Sequence, residues 1–156
     1  MLIGYADSNW ASDINNRKSM SGYVFKLAGT AVSWSSKKQT TVALSSTKAE
    51  YIARVHTTKE AIWLRQLLSE LGQGTHPTPL LIDNQSAIAI AKNPKFHNHT
   101  KHINIHYHFL QQVIDNNMVE LEYVPTGDQV ANILTKGLPP ALHNRFWDAM
   151  GICCFG

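Results

Sequence analysis

The sequence has few cysteines, no long apolar run and no strong charge imbalance. Its two cysteines, Cys153 and Cys154, are neighbours near the C-terminus, so we expect reduced thiols and no disulfide scaffold. No stretch approaches the roughly 18 apolar residues of a membrane-spanning helix, and the N-terminus has no basic region followed by an apolar one, as a signal peptide would have. We therefore predict an intracellular protein with no membrane partner.

What the sequence does contain suits one domain with one core. The chain has 156 residues and is 44% hydrophobic. Its 14 basic and 11 acidic residues give a formal net charge of +3, which permits a polyanionic partner without requiring one. We assign residues 1–138 to the main body and residues 139–156 to a C-terminal helix and tail of the same domain.

The hydrophobic pattern predicts strands first and then strands mixed with helices. The predicted strands are 2–8, 22–27, 31–36, 80–82 and 119–124. The predicted helices are a long one between residues 47 and 72, and shorter ones at 84–92, 105–116, 129–134 and 139–150. This order predicts an α/β fold with a mixed five-stranded sheet, in which three antiparallel strands are followed by two parallel ones, and with helices on both faces.

Three carboxylates from distant parts of the chain stand at the ends of predicted elements. Asp7 closes the first strand, Glu50 opens the long helix and Asp83 follows the fourth strand. Such positions suit Mg²⁺, which prefers hard oxygen ligands and keeps several waters. Two such ions about 3.5 to 4 Å apart can activate a water and stabilise the leaving oxygen when a phosphodiester is attacked. The pattern predicts that the three acids converge on one metal cluster.

Each of these acids also has a purely structural interpretation. Asp7 could simply begin a loop. Residues 47–50 match a capping box, in which Glu50 would bond back to the cap residue Thr47, and spacing alone favours this role. Asp83 with Asn84 could serve only as a cap for the next helix.

Seven ordered sequence blocks cover nearly the whole chain. They are GYADSNWASD, RKSMSGYVF, AVSWSSKKQTTVALSSTKAEYIA, KEAIWLRQLLSELG, LLIDNQSAIAIAKNP, TKHINIHYHF and QVANILTKGLP. In this order they resemble the ribonuclease H domain at the C-terminus of copia-type LTR retrotransposon Pol polyproteins. The resemblance implies the ribonuclease H fold and hydrolysis of the RNA strand of an RNA–DNA hybrid with two Mg²⁺ ions, for which Mn²⁺ can substitute. It also implies that the upstream reverse transcriptase part is absent from this chain, and a location in cytoplasmic virus-like particles.

The resemblance implies a role for four positions. Asp7 is the first-strand ligand that bridges both ions, Glu50 is the helix carboxylate, and Asp83 in the IDNQSA block is the fourth-strand ligand. The fourth position falls at Asn132 in VANILTK, where the family has aspartate. Because an amide oxygen is neutral, we expect weaker metal binding and slower turnover. Asp128, one helical turn earlier, is a candidate to compensate through a water.

Polar neighbours of the acids are candidates for substrate contact. A hybrid-specific nuclease must sense the 2′-hydroxyl of the RNA strand across a shallow minor groove, and small polar side chains suit this. Ordinary loop polarity explains the same residues equally well. The candidates adjoin Asp7 and Asp83 in sequence: Ser8, Asn9, Asn84 and Gln85.

Histidines and tryptophans have simpler interpretations. Five histidines fall within residues 97–108, and His102 and His106 have the spacing of a zinc-ligand pair, but no cysteine pair lies nearby. We expect this stretch to form a basic surface that contacts phosphates. Trp34, Trp63 and Trp147 fall at apolar positions and are predicted to lie in the core.

Two functions from different classes follow from these observations. The leading hypothesis is a magnesium-dependent endoribonuclease that acts on RNA–DNA hybrids. The alternative is a catalytically inactive retrotransposon remnant that folds and binds nucleic acid, which the altered positions Lys48, Asn104, His106 and Asn132 favour. A DNA-cutting integrase or resolvase of the same fold would also use a cluster of metal-binding carboxylates, but the seven sequence blocks argue against this function.

Overall fold

The structure is a computed structural model that describes residues 1–74, 76–92 and 104–153. Within these ranges the chain forms one five-stranded sheet. Its strands are β1 (Leu2–Asn9), β2 (Met20–Leu27), β3 (Thr30–Lys38), β4 (Thr78–Ile82) and β5 (Val119–Tyr123), in the order β3-β2-β1-β4-β5. β1, β2 and β3 pair antiparallel, whereas β1 with β4 and β4 with β5 pair parallel. The predicted mixed sheet is confirmed.

Four α-helices and two 3₁₀ turns accompany the sheet in the described ranges. The α-helices are α1 (Ser46–Glu70), α2 (Gln85–Lys92), α3 (Asn104–Asp115) and α4 (Pro140–Ala149). The 3₁₀ turns are Thr126–Asp128 and Val130–Leu134, and the second is called the 3₁₀ segment below. The sequence predicted an ordinary helix at 129–134. The chain forms a tighter turn there because the buried Gln129 side chain accepts the Ala131 N–H at 3.3 Å.

Helices cover both faces of the sheet, as predicted. On one face α1 and α3 pack against the sheet, and the buried residues there include Phe25, Leu64, Leu80, Val113 and Leu121. On the other face the 3₁₀ segment and α4 pack on β2, and Val24, Val130, Phe146 and Met150 form that core. None of the described helices is long and apolar enough to cross a lipid bilayer.

The long helix α1 begins earlier than the capping-box interpretation requires. Ser45 is its N-cap, and its hydroxyl accepts the Lys48 N–H at 3.1 Å. Glu50 therefore lies beyond the third helical position, and the alternative interpretation in which it bonds back to Thr47 does not hold. The helix ends at Glu70 with Leu71 as its C-cap, and Gly72 follows with a φ of +74° while Gln73 N–H donates to Leu68 O at 2.8 Å.

The prediction that three tryptophans lie in the core is wrong. Trp34, Trp63 and Trp147 are 54%, 57% and 37% exposed. Trp34 lies on the edge strand β3, and Trp63 and Trp147 lie on the outer sides of their helices. Of the predicted histidine surface, His97, His99 and His102 lie outside the described residues, as do Lys95 and Lys101.

Candidate active site

The three predicted acids line one cleft. Asp7 comes from β1, Glu50 from the second turn of α1, and Asp83 from the residue after β4. The cleft opens because β1 and β4 pair only at Gly4 with Leu80 and at Tyr5 with Leu81, after which the two strands separate. The carboxyl ends of neighbouring parallel strands are a common place for a binding site in α/β folds.

Asp7 is the most buried of the three acids. It lies inside β1, opposite Gly22 of β2, and not at the strand end that the sequence predicted. The Thr135 hydroxyl donates to Asp7 Oδ2, and Lys136 Nζ lies 3.9 Å from the same oxygen. Burial raises the pKa of Asp7 to about 6, although Thr135 and Lys136 oppose the shift. The carboxylate therefore lacks full compensation for its burial.

Glu50 is half-buried and is held by the helix that faces it. Asn84 Nδ2 donates to Glu50 Oε2 at 2.6 Å, while Asn84 Oδ1 caps α2 by accepting the Ala87 N–H at 3.1 Å. Burial raises the pKa of Glu50, and the Asn84 hydrogen bond and the Arg54 charge oppose that shift. One asparagine thus joins the start of α2 to the acid of α1.

Asp83 is free of the capping role that the sequence left open. Since Asn84 caps α2, the Asp83 carboxylate is directed elsewhere and accepts the Thr126 hydroxyl at 3.2 Å. Its negative charge raises the pKa of both Asp7 and Glu50. The three acids therefore interact electrostatically.

Asn132 lies behind Asp7 and does not line the cleft. It is 2% exposed, and its Nδ2 donates to Thr126 O at 3.1 Å. Its backbone oxygen accepts the Thr135 hydroxyl at 3.4 Å, which is the same hydroxyl that contacts Asp7. Its Oδ1 is buried and has no partner within the described residues. The amide oxygen is therefore available to a further donor or cation.

Asp128, the candidate to compensate for Asn132, is engaged elsewhere in this structure. Its carboxylate pairs with Arg145 at 2.5 Å on the surface, where both side chains are more than half exposed. The ion pair directs Asp128 toward α4. The reason is that residues 126–128 form a separate 3₁₀ turn, so the helical spacing assumed between Asp128 and Asn132 does not hold.

The oxygen atoms at the cleft are of the kind that a hard divalent cation prefers. They are the carboxylate oxygens of the three acids and, behind them, the unpaired amide oxygen of Asn132. Within the described ranges, however, no three Asp, Glu, His or Cys side chains form a ready chelate. Each acid is instead held by a neutral donor, namely Asn84, Thr126 or Thr135.

Comparison with known proteins shows which proteins this chain is similar to. No family model matches the chain. The chain is 45% identical, over 94% of its length, to the retrovirus-related Pol polyprotein from transposon TNT 1-94 of Nicotiana tabacum, and it spans 11% of that polyprotein. The chain is therefore similar over nearly its whole length to retrotransposon Pol polyproteins, of which it spans only about a tenth.

Solved structures show that the chain has the ribonuclease H fold. The N-terminal RNase H domain of Rv2228c from Mycobacterium tuberculosis superposes with a TM-score of 0.63 at 16% identity, covering 95% of this chain and 96% of that one. LC11-RNase H1, solved in complex with an RNA/DNA hybrid, superposes with a TM-score of 0.60 at 13% identity, covering 86% of this chain and 94% of that one.

A buried arginine lies under the acids of this ribonuclease H domain, and sequence reasoning missed it. Arg54 lines the cleft, and its Nε and Nη1 donate to the backbone oxygens of Glu50 and Ala87, each at 3.3 Å. Its guanidinium lies over the Tyr51 ring at 5.4 Å. The only sequence signal is its position one helical turn after Glu50. Arg54 ties α1 to α2 and places a positive charge beside the carboxylates.

Gln129 was also missed, because nothing in its local sequence marks it. It is fully buried, and its Nε2 donates to Ala6 O at 3.0 Å and to Leu81 O at 3.1 Å. These two carbonyls belong to β1 and β4 at the point where the strands separate. Gln129 therefore bridges the strands that carry Asp7 and Asp83.

We expect Gln129→Leu to destabilise the domain by about 2 to 4 kcal/mol, because one buried and one partly buried carbonyl lose their donor. Urea unfolding followed by circular dichroism measures the change. Gln112→Leu, at an exposed position on α3, is the matched control and should leave the midpoint nearly unchanged. Equal midpoints for the two variants would show that the bridge contributes nothing.

Gly22 leaves room for the segment that holds Asp7. A Cβ there would lie 2.7 Å from Thr135 Cγ2 and 3.1 Å from Leu134 Cβ. We expect Gly22→Ala to cost about 1 to 3 kcal/mol of unfolding free energy and to displace the Thr135 hydroxyl from Asp7. Denaturant titration is the measurement. Gly74→Ala is the control, since a Cβ at Gly74 meets nothing within 4 Å; a similar loss in both variants would contradict the packing argument.

Proposed function

We propose that this domain is a magnesium-dependent endoribonuclease that cleaves the RNA strand of RNA–DNA hybrids by a two-metal mechanism, with Mn²⁺ able to replace Mg²⁺. The observation that carries the proposal is that Asp7, Glu50 and Asp83, which are far apart in sequence, line one cleft at the separating ends of β1 and β4. Similarity to retrotransposon Pol polyproteins and the likeness to an RNase H1 solved with an RNA/DNA hybrid support the choice of substrate.

Asp7, Glu50 and Asp83 would hold the cations, with Asn132 as the fourth ligand position. Bound Mg²⁺ supplies an activated water and stabilisation of the leaving oxygen. Burial leaves Asp7 and Glu50 with raised pKa values, so a cation near them would offset the cost of their negative charge. For Asn132 to ligate, its unpaired Oδ1 must turn toward the cleft, since the residue lies behind Asp7.

The polar neighbours divide into two groups. Asn84 holds Glu50, and Asn9 Nδ2 donates to Thr135 O at 3.2 Å, so both act mainly on the protein itself. Ser8 lines the cleft and Gln85 is exposed at the start of α2. We propose Ser8 and Gln85 as the residues that contact the RNA strand, and Asn9 and Asn84 as positioning residues.

A labelled hybrid tests this function directly. The purified domain is incubated with an RNA–DNA hybrid, duplex RNA or duplex DNA, each with Mg²⁺, with Mn²⁺ or with a chelator. Cleavage of the hybrid alone, dependent on the metal, supports the proposal. Binding to the hybrid without cleavage in either metal would instead support the inactive remnant. Location in cytoplasmic particles is a separate proposal, which fractionation of expressing cells would test.

A further inference from the structure

A large aromatic side chain stands exposed just beyond the cleft. Trp10 follows the last residue of β1 and is 48% exposed. Two residues lie between it and Asp7, so their Cα atoms are at most about 11 Å apart. A nucleic acid strand advances about 3.4 Å per nucleotide, so Trp10 stands within about three nucleotides of a bond held at Asp7.

The indole of Trp10 is held in place by two connections. Its Nε1 donates to Ala43 O at 3.0 Å, which joins it to the link between β3 and α1. The next residue, Ala11, has a φ of +49°, and its N–H donates to the Ser19 hydroxyl at 2.9 Å. Because the only polar atom of the indole is already paired, the exposed part of the ring is apolar and fixed.

The residues around Ala43 extend this apolar surface. Val42 is 44% exposed and Leu44 is 83% exposed, so Trp10, Val42 and Leu44 form what we call the Trp10 patch. Residues 37–41, which lead into the patch, line a groove together with Lys59, and no carboxylate is among the residues that line it. Lys38 pairs with Asp13, whereas Lys37 and Lys59 form no ion pair within the described residues.

The Trp10 patch, together with the unpaired lysines of the adjoining groove, suits a nucleic acid as its partner. Lysines attract the phosphates of a nucleic acid, and a flat aromatic face packs on sugars or bases whatever their sequence. In a hybrid the bases are paired and stacked, but the sugar rings are exposed along the wide, shallow minor groove. A protein partner would not need the unpaired Lys37 and Lys59 of the adjoining groove.

We propose that Trp10 packs against a sugar ring of the hybrid near the cleaved bond and so sets the register of the RNA strand over the cleft. Trp10 is a positioning residue, since it contacts the substrate away from the reacting atoms. This inference rests on the proposed ribonuclease function. It adds an apolar contact with the substrate, which neither the metal ligands nor the polar neighbours of the acids provide.

The test measures binding and cleavage separately in Trp10→Ala, Trp10→Phe and Leu44→Ser. Binding is measured by fluorescence anisotropy of a labelled hybrid in a chelator, so that it does not depend on catalysis. We expect the Kd to rise about tenfold in Trp10→Ala and less than threefold in Trp10→Phe, which keeps a flat ring. Cleavage sites on an end-labelled hybrid should spread over neighbouring bonds in Trp10→Ala. Leu44→Ser should give a smaller rise in Kd without touching the indole.

Trp63→Ala is the matched control, because Trp63 is similarly exposed, at 57%, but lies on α1, outside the patch. An unchanged Kd and cleavage pattern in a folded Trp10→Ala protein overturns the inference. So does an equal loss of binding in Trp63→Ala. If Trp10→Ala unfolds, the effect of Leu44→Ser on Kd decides. Failure of the parent to cleave a hybrid that it binds overturns the nuclease proposal alone, while the ratio of Kd values still decides the role of Trp10.

Discussion

Asp7→Asn is expected to slow hybrid cleavage about a thousandfold or more. In the absence of metal, the same substitution is expected to make the domain more stable. The loss follows from removing the most buried negative charge of the cleft. The gain in stability follows because the folded-state pKa, about 6, lies above the ordinary value of 3.8, so ionisation at pH 7 opposes folding. We expect a gain of about 1 to 3 kcal/mol, measured by urea unfolding in a chelator.

Asp148→Asn is the control for this substitution, because Asp148 is an exposed acid on α4. It should change neither cleavage nor stability measurably. A residual activity of Asp7→Asn near that of the parent would remove Asp7 from the metal-binding role. Lower stability of Asp7→Asn would show that Thr135 and Lys136 compensate the carboxylate fully.

Asn132→Asp is expected to raise cleavage at limiting Mg²⁺ about tenfold, since it restores the fourth negative charge of the family pattern. Without metal the same change should destabilise the domain, because Asn132 Nδ2 now donates to Thr126 O and a carboxylate cannot. The expected signature is therefore a larger Mg²⁺-dependent rise in Tm than the parent shows. Cleavage rates and thermal melts across a Mg²⁺ titration measure both effects.

Asn15→Asp, at an exposed position between β1 and β2, adds the same charge away from the cleft. It should leave the Mg²⁺ dependence unchanged. If Asn132→Asp cleaves no faster than the parent at limiting Mg²⁺, residue 132 does not limit metal binding in this domain. An equal response in Asn15→Asp would point to a general effect of charge.

The sequence predicted the sheet well because each strand has its own local pattern. Alternation in residues 2–8 and the wholly apolar run 80–82 mark strands whatever lies around them. The acids were predicted to meet because three carboxylates from distant parts of the chain stood at the ends of predicted elements. That placement is observed for Asp7, Glu50 and Asp83, while their metal-binding role stays a prediction.

The predictions that failed concern contacts without a local pattern. Helical spacing linked Asp128 to Asn132, but a buried side chain at Gln129 turns the chain into 3₁₀ geometry between them. The capping-box pattern pointed to Thr47, but Ser45 begins the helix two residues earlier. Hydrophobic character marked Trp34 as core, but only the strand order shows that it stands on an edge strand.

The late position of the 3₁₀ segment has a consequence for the order of assembly. Gln129 reaches Ala6 and Thr135 reaches Asp7, across 123 and 128 residues. Contacts this distant in sequence close late in folding. A growing chain can pair its first three strands long before the last fifth of the polypeptide emerges from the ribosome. Copies that end prematurely before Gln129 would therefore keep the strand pairs of β1 to β3 but lack the contacts of Gln129 and Thr135 with β1. We expect such copies to have no nuclease activity from the moment of synthesis.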